Sequence, residues 1–237
     1  MAATTPKFLS NNKSLLRINT QVFMIQLIKK AIKNRNRRAI IADGQTYSYQ
    51  ELLKESADFA AILLENKADL NEMRVAFMVS PRFDYVRVQW AIWWAGGVSV
   101  PLCISYPLPS LQYVIEDTEA EIIIVGKEYE AILAPLAKEK GLRFIVLDNT
   151  LPKVTNFWKG KLPDITPNRC AMILYTSGTT NLPKGVVTTH ANIEAQVSTL
   201  VKSWQWSADD HILCILPLHH VHGIINVISC ALWLEPP

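Results

Sequence analysis

Residues 171–190 read AMILYTSGTTNLPKGVVTTH. An apolar run at 171–175 hands the chain to a cluster of hydroxyls around one glycine, Thr176-Ser177-Gly178-Thr179-Thr180. Pro183-Lys184-Gly185 follows, and the spacing predicts a helix starting at His190 or Ala191. A buried strand leading through a polar loop into a helix is a step of an open α/β sheet with parallel strands. In such sheets the space beyond the C-terminal ends of the strands is where ligands bind.

The loop has the chemistry of a polyphosphate cradle. Closely spaced hydroxyls donate hydrogen bonds, a glycine lets backbone N–H groups converge, and one ammonium supplies positive charge. A nucleoside triphosphate suits that set. Pro183 restricts the backbone next to Lys184, so less conformational freedom is lost on binding. The loop is not a Walker P-loop, which needs Gly before its Lys and Ser or Thr after it, whereas Pro183 precedes Lys184 and Gly185 follows. Nor is it a serine-hydrolase elbow, because Tyr175 stands where that turn needs Gly. A plain Ser/Thr-rich surface turn is the bland alternative. The number of specified positions in order argues against it.

Outward from this loop, short β-branched runs alternate with helical patterns. Strands are predicted at 39–42, 75–79, 98–102, 121–125, 143–147, 171–175 and 212–216. Ser48 and Glu51 form an S-x-x-E capping box ahead of Leu53, Ala57, Ala60 and Leu64 at helical spacing. After Pro81, Phe83, Val86, Trp90 and Trp93 or Trp94 share one stripe that stops at Gly96-Gly97, and the tryptophans read as core. The fold class is α/β, with parallel sheets flanked by helices on both faces. Residues 149–168 contain three prolines and lose the rhythm. The expected organisation is a flexible N-terminus or mitochondrial presequence at 1–18, a first α/β subdomain at 19–148, an irregular connection at 149–168, and a truncated phosphate-loop subdomain at 169–237.

Charge and cysteine usage narrow the function classes. Nine of the 24 Lys and Arg fall in residues 1–38, which hold no acid, so the body carries fifteen bases against twenty-one acids. No basic, aromatic-interleaved patch recurs after Arg38, which argues against a nucleic-acid partner. Cys103, Cys170, Cys214 and Cys230 are far apart with no CxxC spacing, as in a reduced intracellular protein. No apolar run reaches the length of a bilayer span. A cytoplasmic location is expected, with the mitochondrial matrix as the alternative because of the acid-free N-terminus.

A second stretch, LPLHHVHGIINV at 216–227, places His219, His220 and His222 within four positions. They are either metal ligands or ordinary satisfied histidines. No Cys or carboxylate stands at a supporting spacing, so no metal site is assigned. His190 and Asn192 read as the start of a helix.

YTSGTTNLPKGVVTTHANI resembles the signature of the adenylate-forming superfamily, which includes acyl-CoA synthetases. QTYSYQELLKESADFAAIL, RVAFMVSPRFDYVRVQWAIWWAGGVSVPL and LQYVIEDTEAEIIIV are similar to successive early segments of the same enzymes, so the likeness covers about residues 38–235. Asn181 stands where the family usually has Gly; Asn tolerates the positive φ that Gly would supply. The resemblance implies ATP, Mg²⁺ and coenzyme A as cofactors and a small carboxylic acid as substrate. The acid is activated as an acyl adenylate and then passed to the thiol. It also implies that Thr176, Ser177, Gly178, Thr179, Thr180 and Lys184 bind the nucleotide phosphates, with Lys184 stabilising their charge during catalysis. LPLHHVHG resembles the LPxxHxxG motif bordering the acyl pocket. That matches His220 to the residue lining the pocket and Gly223 to the position leaving room for the acyl group. The wording is closest to malonyl-CoA synthetases, and the paired histidines suit a small or acidic substrate such as malonate or methylmalonate.

Proteins of this family run to twice this length or more. The resemblance puts the adenine and ribose contacts, an acidic residue for magnesium, the mobile C-terminal domain with its catalytic Lys, and the Arg expected for a dicarboxylate beyond Pro237. Two hypotheses follow. One is a ligase whose C-terminal half is supplied in trans or missing from the sequence. The other is a non-catalytic fragment that binds nucleotide weakly or a partner chain. An interrupted sheet is expected to leave an open edge and an uncovered apolar face on 224–234.

Overall fold

The computed structural model describes residues 24–148, 162–176 and 182–234. Six strands form one sheet: β3 (Arg74–Met78), β4 (Val98–Pro101), β5 (Ile122–Gly126), β6 (Arg143–Leu147), β7 (Cys170–Thr176) and β8 (Lys184–Thr189), in the order β6-β5-β3-β4-β7-β8. The first five run parallel, and β8 returns antiparallel to β7. A separate antiparallel pair, β1 (Arg38–Ala42) and β2 (Gln45–Ser48), is joined by Asp43 and Gly44, both at positive φ, as a two-residue hairpin turn requires.

Alternation along the central strands separates two cores. Val75 and Phe77 of β3 and Ile122 and Ile124 of β5 face one side, while Ala76, Met78, Ile123 and Val125 face the other. The first side is covered by α2 (Tyr49–Leu64), α3 (Phe83–Trp94) and α6 (His190–Ser203), with α1 (Gln26–Lys33) packed on α2. The second side is covered by α4 (Leu108–Asp117) and α5 (Glu130–Lys140). Helices therefore lie on both faces, as expected, around a mixed rather than wholly parallel sheet.

The local signals act through ordinary chemistry. Ser48 Oγ accepts from Glu51 N at 3.2 Å while Glu51 Oε2 accepts from Ser48 N at 2.7 Å, closing the capping box of α2. Thr189 and Asn192 make the equivalent exchange at the start of α6. Trp90, Trp93 and Trp94 are core. The Trp93 indole N–H donates to Ala171 O at 2.7 Å and to Ser99 Oγ at 3.1 Å, tying α3 to β4 and β7. Segment 169–234 thus shares the sheet of segment 24–148 through β4 and β7.

Three expectations are corrected. Residues 184–189, read as part of a loop, form β8, because the polar turn closes a hairpin instead of crossing directly into a helix. Residues 212–216, read as a strand, belong to no sheet; Leu213 is 83% and Ile215 80% exposed. Residues 224–234 do not form an uncovered apolar face. His222–Ser229 winds as a π-helix and continues into α7 (Cys230–Trp233), burying Ile224, Ile225, Cys230, Leu232 and Leu234. An exposed apolar run lies one step earlier in the chain, on 212–216.

Candidate functional site

Thr176 and Lys184 are cross-strand partners at the turn end of the β7–β8 hairpin, at the C-terminal edge of the parallel strands. Thr176 Oγ1 donates to the Lys184 carbonyl at 3.5 Å. Lys184 is exposed. Ser177, Gly178, Thr179, Thr180 and Asn181 lie outside the described residues. The two ends of the expected phosphate loop are therefore placed side by side, with a cation on one of them.

Both ends are anchored to α4. Tyr175, one residue before Thr176, donates from its hydroxyl to Asp117 Oδ2. Tyr113, on the same helix, donates to the Pro183 carbonyl at 3.1 Å, one residue before Lys184. The two tyrosine rings meet edge-on, with centroids 6.0 Å apart. Burial, and then the Asp117 carboxylate beside it, push the Tyr175 phenol up, so it is a fixed donor at any ordinary pH. Gly185 lies beneath the same ring: a Cβ there would meet Ile173 Cγ2 at 3.0 Å and the Tyr175 ring at 3.2 Å. Sequence reasoning missed Tyr113, Asp117 and Tyr175 as supports. The available signal was the Tyr directly preceding the hydroxyl cluster.

The histidine stretch comes to the same end of the sheet. His219 and Tyr175 line one crevice with Tyr106 and Leu111, its free volume about 10 Å³, room for little more than a single water. Tyr85 holds this segment, donating to Leu218 O at 2.6 Å. The His219 and His220 rings have centroids 4.0 Å apart. Burial, and secondarily His220, hold the His219 pKa below the usual imidazole value. His220 is exposed and His219 half-buried, so of the two it is His219 that faces the hairpin anchors. Gly223 is buried, and a Cβ on it would meet Pro217 O at 2.5 Å. Its lack of a side chain lets the π-helix close on the 217–218 turn. Among the described residues no group of three or more His, Cys, Asp or Glu is arranged to hold a metal ion. Nor is any helix among them long and apolar enough to cross a membrane.

The chain is 36% identical over 220 residues to human "Malonate–CoA ligase ACSF3, mitochondrial", an alignment covering 86% of this chain and 37% of that protein. It is 30% identical over 256 residues to the malonate–CoA ligase of Arabidopsis thaliana, covering 95% of this chain and 40% of that one. Among solved structures, ATP-bound MatB from Rhodopseudomonas palustris superposes with a TM-score of 0.74 at 26% identity, over 90% of this chain and 44% of that one. The chain thus spans well under half the length of these relatives. The family model described as AMP-binding enzyme matches residues 27–234, and the chain belongs to that family.

Proposed function

We propose that this chain supplies the phosphate-gripping part of an ATP-dependent acid–thiol ligase, one that activates a small dicarboxylic acid such as malonate or methylmalonate and passes it to coenzyme A. One observation carries the reading: Thr176 and Lys184 sit paired at the C-terminal edge of the parallel strands, with Tyr175 of β7 and Pro183, the residue before β8, each hydrogen-bonded to α4. ATP and the acid are both anions. Lys184 would offset charge on the phosphates, and the hydroxyl cluster would orient them. Mg²⁺ would accompany the ATP phosphates and offset their charge together with Lys184. The names of the human and Arabidopsis relatives and the paired histidines support the dicarboxylate. His220 and Gly223 are its proposed neighbours. The acid-free tract 1–38 and the human relative's name favour the mitochondrial matrix over the cytoplasm, which cell fractionation checks.

The alternative is a non-catalytic chain that holds nucleotide weakly, or a partner supplying the remainder in trans. It is kept because the chain covers only 37% of the human relative. Pyrophosphate release from ATP with malonate and coenzyme A separates the two. Turnover that falls ten-fold or more in Lys184→Ala, the loss expected for one charge-stabilising donor, supports the ligase. Turnover unchanged by Lys184→Ala removes the assigned role. ATP binding in the millimolar range without turnover, lost in Lys184→Ala, supports the alternative.

A further inference from the structure

At the other end of β7 lies a partly open cavity of about 250 Å³. β7 starts at Cys170 and ends at Thr176, so this cavity lies about 20 Å from the Thr176–Lys184 pair at ~3.3 Å per strand residue. Its walls include Leu27, Trp93, Val197 and Trp233. They are rigidly held. Trp93 is fixed by its hydrogen bonds to Ala171 and Ser99, Lys30 Nζ sits 4.7 Å over the Trp233 ring, and Asn34 Nδ2 donates to Leu234 O at 2.8 Å, tying α1 to the end of α7.

Gln26, Lys29, Glu194 and His190 bring polar side chains to its lining, and His190 is the most buried of the four. His190 is only 8% exposed, lines the cavity, and stands edge-on to Trp93 at 5.8 Å, yet its imidazole makes no hydrogen bond to the described residues. A ring nitrogen with no bond to the described residues keeps its hydrogen-bonding capacity for a molecule in the cavity beside it. Burial, and then the nearby Arg169 guanidinium, push the His190 pKa down to about 4, so the ring is neutral at pH 7. Exposed Lys29 and half-buried Glu194 bring one charge of each sign to the lining, so the site selects for neither anion nor cation. At ~30 Å³ per water, the volume equals roughly eight waters, room for one or two rings.

We propose that this cavity is a second, separate binding site, for a small uncharged molecule with an apolar ring-sized body and one hydroxyl, which hydrogen-bonds His190. The site does not depend on the ligase reading, since it shares no residue with the hairpin end. Phenol is the probe, with benzene as the control lacking the hydroxyl. Titrations of the whole chain by calorimetry, and by the fluorescence of Trp93 and Trp233, should show phenol binding about ten-fold more tightly than benzene, the ratio one hydrogen bond worth about 1.4 kcal/mol supplies. His190→Phe should remove that ratio while leaving benzene binding within two-fold. Val197→Trp should abolish binding of both. Equal binding of phenol and benzene by the unaltered chain overturns the proposal, as does no phenol binding at all. So does phenol binding that survives Val197→Trp in a folded variant. If a variant fails to fold, the phenol-to-benzene ratio on the unaltered chain decides alone.

Discussion

Two short apolar runs of similar composition meet opposite environments in this chain. Residues 122–125, IIIV, form the middle of β5 and are at most 2% exposed. Residues 212–216, ILCIL, leave Leu213 and Ile215 almost wholly in water and pair with nothing among the described residues. β5 has β3 on one side, β6 on the other and helices over both faces. Apolar, β-branched composition licenses a strand but does not make one. Backbone groups and side chains need neighbours on two edges and two faces, and those are supplied by the rest of the fold.

Ile123→Ala empties a fully buried position on the α4–α5 side of the sheet. It should cost about 2–5 kcal/mol, the range for deleting a buried aliphatic side chain. Urea denaturation reads it as a lower midpoint. A cost below 1 kcal/mol would show that the β5 environment is no tighter than that of 212–216.

The histidines repeat the contrast and give it a pH axis. His190 is enclosed while His220 is exposed. Burial first, and Arg169 second, lower the His190 pKa from 6.5 to about 4 in the folded chain. A proton therefore binds the unfolded state more readily. The stability contributed by neutral His190 is fully present above about pH 6.5 and is lost as pH falls toward about 4, a total on the order of 3 kcal/mol. His219 is lowered too and titrates downward in the same direction, so the measurement is a difference. His190→Phe should flatten the loss of stability between pH 6.5 and 4 relative to the unaltered chain. Parallel curves would show that the imidazole is solvated in the fold.

The same contrast explains what could be read in advance. The five parallel strands, the α2 cap at Ser48 and the tryptophan core of α3 were legible because periodicity and capping are local. β2 was not, although Asp43-Gly44 is a hairpin signal, since its four residues are short and carry little apolar content. β8 was missed because Val186 and Val187 are 50% and 56% exposed, so no buried face marks it as a strand. At the site, the hydroxyl loop and Lys184 were legible as a motif. Tyr113 and Asp117 were not, because their task is set by distance in space to Pro183 and Tyr175, which sequence spacing does not encode.

The smallest expected effect on stability tests the exposed side of the comparison. Leu213→Ser with Ile215→Ser replaces two side chains that are 83% and 80% in water, so little apolar surface changes hands on folding. The urea midpoint should move by no more than about 0.5 kcal/mol equivalent, as for surface positions away from any packing feature. A shift above 1 kcal/mol would mean that 212–216 is held in the folded chain. Association should respond more than folding does. Ile212, Leu216 and the exposed Val186 and Val187 of β8 add to the apolar surface, and β8 is the edge strand of the six-stranded sheet, a combination that invites contact with a second chain. Sedimentation velocity should show the doubly substituted chain with less self-association than the unaltered one at equal concentration. If the two sediment alike while both associate, the contact lies elsewhere, and the unpaired run at 212–216 is tolerated by water on its own.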